Sequence, residues 1–104
     1  MLMHLPEPFD AIRRIRRVCR GQAITSTACA TDSATEQRPI CEFLGQKASD
    51  ADYWTYWNIN APALKKMLLA AGFSQAIQEN HFTLVSESSN TPFVVPHVVM
   101  AGIT

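Results

Sequence analysis

Glycine is scarce in this sequence, with four in 104 residues at Gly21, Gly45, Gly72 and Gly102. None belongs to a GxGxxG cluster, so no glycine-rich turn is available to bring a nucleotide phosphate against the backbone. Long apolar runs are missing too. Stretches such as Phe93-Val94-Val95 are far too short to span a bilayer. Glu7 and Asp10 arrive before any apolar region long enough for a secretory signal. Nor is there a surplus of charge, since nine Lys and Arg balance nine Asp and Glu. That balance supplies no overall field for a membrane surface, and nucleic acid is not an expected partner. Cysteine is limited to Cys19, Cys29 and Cys41, an odd number without CxxC spacing, which predicts reduced thiols in a cytoplasmic protein. His4, His81 and His97 stand singly and far apart, so no zinc-ligand pattern forms.

What is present describes one small globular domain over residues 1–104. A hydrophobic share of 47% with 17% charged residues argues against disorder. The length allows one modest core. From Glu7 to Arg20, Phe9, Ile12, Ile15, Val18 and Cys19 recur at helical spacing. Pro6 and Pro8 suit the start of that helix, Glu7 and Asp10 its positive end, and Arg20 its negative end. Gly21 fits the turn just beyond it. Arg13, Arg14, Arg16 and Arg17 take up much of the remaining circumference and read as a solvated face, with contact to phosphate as the alternative.

Gln22 to Ala30 is read as a strand, Thr31 to Gln37 as a loop, and Arg38 to Gly45 as a short irregular segment. A second helix follows Asn60, its predicted cap, with Pro62 in the first turn and Leu64, Met67, Leu68 and Ala71 as the buried stripe. Gly72 ends it and Phe73 folds back on its last turn. Ser74 to Ser86 and Phe93 to Ile103 are read as strands joined by a turn-rich loop. Pro96 has no amide hydrogen for a sheet ladder, so it requires an edge, a bulge or a missing partner. Helices and strands in this order give an α/β fold with an antiparallel hairpin at its end.

The stretch LMHLPEPFDAIRRIRRVCRG resembles the part of class I S-adenosylmethionine-dependent methyltransferases that follows their fourth strand. There a strand end meets His-Leu-Pro-Asp/Glu-Pro, then an Arg-rich helix and a Gly turn. YWTYWNINAPALKKMLLAAGF is similar to the segment that precedes and forms their last helix. The resemblance covers nearly the whole chain. It implies a partial Rossmann-like methyltransferase fold, with a small mixed sheet, about two main helices and a closing antiparallel hairpin. Met1 to Met3 would be the remnant of a strand, and the final strand would lie between the two others. One flank of Gln22–Ala30 would then offer unpaired backbone groups. The departure is as informative, because the glycine-rich half that holds the cofactor has no counterpart. The chain resembles the C-terminal, acceptor-side half, which is not expected to bind S-adenosylmethionine tightly by itself.

By the same resemblance His4 would face the reacting centre, as a catalytic or binding group. Its alternative is a histidine at the helix start that hydrogen-bonds backbone. Tyr53, Trp54, Tyr56 and Trp57 place four aromatic rings in five positions. Such rings wall a pocket for a small-molecule acceptor, stack a flat substrate or surround a sulfonium, with Glu42 and Asn58 adding hydrogen bonds at its edge. They serve equally to seat the segment on the core. The functions that follow are a methyltransferase half needing a complementary N-terminal half, a non-enzymatic binding module, or a structural homo-oligomer, a homodimer first.

Overall fold

The computed structural model describes residues 2–28, 37–47, 54–85 and 94–104. Helix α1 spans Pro8–Val18 and helix α2 spans Ala61–Ala70. The strands are β1 at Gln22–Ala28, β2 at Cys41–Lys47, β3 at Trp54–Ile59, β4 at Gln75–Val85 and β5 at Val94–Ile103. They form a three-stranded sheet in the order β1–β5–β4 and a two-stranded sheet of β2 and β3. The final strand therefore lies in the middle of its sheet, antiparallel to both neighbours.

Both helices follow from their sequence signals. In α1, Ile12 is fully buried, with Ile15 and Cys19 packed against the same cluster. The turn after it needs a left-handed residue, which Gly21 supplies at φ 108°. In α2 the Asn60 side chain caps the first turn by accepting from the Ala63 amide at 3.0 Å. At its other end the Phe73 amide donates to Leu68 and the Gly72 amide to Leu69, with Gly72 at φ 112°. This double bond pattern satisfies carbonyls that the helix leaves open, and it drops the Phe73 ring into the core.

Leu2, Ile12, Ile59, Leu64, Leu68, Phe73, Val98 and Met100 form one buried cluster. Helix α2 packs on β4 and β5, while α1 packs on α2. The alternation along β5 sends Val98, Met100 and Gly102 to this core and Val99, Ala101 and Ile103 to the other face. On that other face Ile24, Ala101 and Ile77 make a cross-strand row, and Ile24 and Ile77 are 64% and 45% exposed. Pro96 pairs with Thr83 of β4, and the last described pair of β1 is Ala28 with His97, one residue short of it. Among the described residues it thus has a strand on one side only, as its missing amide hydrogen requires.

Three expectations are corrected. The sheet is not mixed, because every described pairing is antiparallel. A parallel neighbour for β1 would have come from the N-terminal residues. Instead Leu2–His4 forms a 3-10 turn closed by the Leu5 amide donating to the Leu2 carbonyl at 3.1 Å. Three residues gain more from that local bond and from burying Leu2 than from an isolated strand. The segment read as irregular contains β2, which pairs with β3 around a bulge between Phe43 and Gln46. Gly45 makes the bulge at φ 59°.

Candidate functional site

The residues before α1 run along β3 and are fastened to it at two points. His4 Nδ1 lies 3.1 Å from the Trp54 carbonyl and 3.5 Å from Thr55 Oγ1. Two residues on, the Pro6 carbonyl accepts from the Trp57 indole N–H at 3.0 Å. Because the Trp54 carbonyl is an acceptor, Nδ1 carries the proton in this arrangement. His4 thereby holds the turn before α1 against the hairpin.

The period of two in a strand divides the predicted site between two faces. Thr55, Trp57 and Ile59 share the face that meets the N-terminal segment and the core, whereas Trp54, Tyr56 and Asn58 lie on the other. Register places Glu42 directly opposite Asn58, so Glu42 joins this second group. There the Trp54 and Tyr56 rings are stacked, with centroids 6.2 Å apart and planes 15° from parallel. On the first face Phe43 stands edge-on to Trp57 at 5.3 Å. The aromatic run is therefore two surfaces rather than one pocket. Tyr53 lies outside the described residues.

A cleft of about 400 Å³ opens on the Trp57 face. Pro6, Glu7, Pro8, Phe9 and Asp10 from the start of α1, Cys41 and Trp57 from the hairpin, and Met67 from α2 line it. Of the site residues expected from the sequence, only Trp57 is among the described residues that line this cleft. Cys41 enters because it pairs with Ile59 and so shares the Trp57 face, a relation that depends on register and has no local sequence signal. The PEPFD stretch was legible as a helix start, but not as a cleft wall.

The cleft is suited to binding rather than to covalent chemistry. Its walls are mainly apolar, with the Glu7 and Asp10 carboxyls beside them; Asp10 is also paired with Arg14 at 3.0 Å. Burial pushes the Cys41 thiol up from its ordinary value, so it stays protonated and weakly nucleophilic at neutral pH. Trp57, held by Pro6 and Phe43, presents a fixed ring to a flat or apolar ligand.

S-adenosylmethionine does not fit the residues present. Gly21 and Gly72 follow helices, Gly45 forms a bulge and Gly102 lies under the Phe73 ring, so none opens a helix after a strand. Among the described residues no group of three His, Cys, Asp or Glu side chains gathers to hold a metal ion. No described helix is long and apolar enough to cross a membrane. In comparisons with protein-family models, curated proteins and solved structures, nothing matches the chain.

Proposed function

We propose that this chain is the acceptor-side half of a class I S-adenosylmethionine-dependent methyltransferase, inactive alone and completed by a half that carries the cofactor. The observation that carries the reading is the β1–β5–β4 order, with the last strand between the other two. That is the order expected for the closing strands of such a sheet. The HLPEP stretch in front of α1 and the Ala-Gly-Phe turn after α2 support it. In this reading the cleft aligns a small acceptor with an apolar or flat body, and alignment is the main thing a methyl transfer asks of the protein. Reconstitution tests it. The chain is combined with a glycine-rich half, encoded beside it or supplied from a class I methyltransferase. Calorimetry then reads cofactor binding at micromolar affinity in the two-part protein. A two-part protein that binds no cofactor would overturn the reading.

The Ile24–Ala101–Ile77 row favours a second reading, a homo-oligomeric module derived from that fold. Among the described residues β1 pairs with β5 alone, leaving its other edge without a strand. Ala101 is itself buried, but the exposed Ile24 and Ile77 beside an open edge would be covered by a second copy in a twofold dimer. Sedimentation at micromolar concentration distinguishes the two, because a compact monomer contradicts the oligomeric module.

A further inference from the structure

We infer that the layer formed by α1 and α2 is a docking surface for the phosphate backbone of nucleic acid. The balanced net charge conceals a strong asymmetry. Seven of the nine cationic residues lie on these two helices or just past α1: Arg13, Arg14, Arg16, Arg17, Arg20 and the Lys65–Lys66 pair. The acids on or flanking these helices are Asp10, which Arg14 meets at 3.0 Å, and Glu7, at the start of α1. Arg16 is occupied within the fold, donating to the Gly72 carbonyl at 3.0 Å with its guanidinium over the Phe73 ring. The other five cations, Arg13, Arg17, Arg20, Lys65 and Lys66, are exposed and have no ion-pair partner among the described residues.

Five exposed cations on two adjoining helices offer a phosphate backbone several points of contact. Arg13 and Arg17 are four residues apart, so they stand about 6 Å apart along the helix axis, on the side away from buried Ile12. Arg20 continues past the helix end, and α2 brings Lys65 and Lys66 on the helix packed beside it. Guanidinium groups favour phosphate oxygens through paired hydrogen bonds. An anionic bilayer fits less well. It would need apolar side chains to insert among the charges, and the apolar stripe of α1 is already used in the core. Val18, 82% exposed, and Leu69, 42% exposed, are the large apolar side chains left outside on these helices beyond the cleft. None of these five cations lines the cleft, although α1 and α2 contribute to both, and the inference does not depend on the methyltransferase reading.

Fluorescence anisotropy tests it with a labelled duplex DNA of about 20 base pairs and an RNA single strand of similar length, each of mixed sequence. Four or five cations displacing counterions would weaken duplex binding roughly 100- to 500-fold between about 50 and 200 mM salt. Arg13→Gln with Arg17→Gln, and separately Lys65→Gln with Lys66→Gln, should each weaken binding at least about tenfold and flatten the salt slope. Their melting should be unchanged, since all four side chains are exposed. Gln78→Ala, exposed on β4, should leave binding as it was. Binding to neither probe at low salt would overturn the inference, as would binding that these pairs of changes do not touch. So would anionic vesicles, or a second copy of the chain, being what these cations bind instead.

Discussion

The indole N–H of Trp57 donates to the Pro6 carbonyl at 3.0 Å, and this bond ties the β2–β3 hairpin to the segment that leads into α1. The same ring meets Phe43 edge-on and lines the cleft. Trp57 is thus both a wall of the site and a fastener of the fold. Trp57→Phe keeps an aromatic wall but leaves the Pro6 carbonyl to water, and should cost about 1 kcal/mol. Trp57→Ala also removes the packing and should cost about 3 kcal/mol. Urea melts of the two variants measure the difference; equal losses would mean that the ring itself contributes nothing.

Asn60 is the hinge between hairpin and helix. Its Oδ1 accepts from the Ala63 amide at 3.0 Å and the Ile40 amide at 2.9 Å, while its Nδ2 donates to the Arg38 carbonyl at 2.7 Å. The side chain is almost fully buried. Asn60→Ala therefore strands three backbone groups and should cost about 2–4 kcal/mol, more than the loss of a surface cap. Asn60→Ser, which retains an acceptor for Ala63, should fall between the two. Denaturant midpoints check the order.

The Asn60 cap, the Gly72 turn and the fold-back of Phe73 were all readable in the sequence, because each depends on neighbours within one helical turn. The apolar stripes of α1 and α2 were readable for the same reason. The placement of the last strand was readable only through a resemblance. Relations set by register were not. Cys41-Glu42-Phe43-Leu44 shows no clean alternation, so β2 has no local signature, and its pairing with β3 decides that Trp57 parts from Trp54 and Tyr56. Leu2 and Met3 are as apolar as a strand end, yet without a ladder they join His4 in a 3-10 turn; Met1 lies outside the described residues.

Gly102 is a glycine whose reason appears only in three dimensions. A Cβ built on it would stand 2.9 Å from the Phe73 ring, which lies flat on the strand at that point. Gly102→Ala should cost about 1–3 kcal/mol by forcing the ring off its seat. Because Arg16 lies over the same ring, the ring's displacement also disturbs the α1–α2 contact. Thermal melting together with near-ultraviolet circular dichroism reads both effects.

Cys41 carries a pH dependence of definite sign. Cys41 is exposed as a residue, but partial desolvation raises its thiol above the ordinary value, so the folded chain keeps the proton where the unfolded chain has begun to lose it. The fold's preference for the neutral thiol is fully present below the unfolded value and is lost as pH rises above it. Alkylation of Cys41 by iodoacetamide, followed by mass spectrometry, should be slower in the folded chain than in urea, with its midpoint moved to higher pH. An identical midpoint in both states would contradict the burial.

As the proposed acceptor-side half of a methyltransferase, the chain would carry no cofactor side of its own. Calorimetric titration of S-adenosylmethionine into the purified chain tests it most directly. Among the described residues no glycine turn follows a strand and no acidic residue stands beside one for the ribose hydroxyls, so the chain should bind no tighter than about millimolar, a free energy near −4 kcal/mol. A micromolar dissociation constant with one cofactor per chain would contradict it.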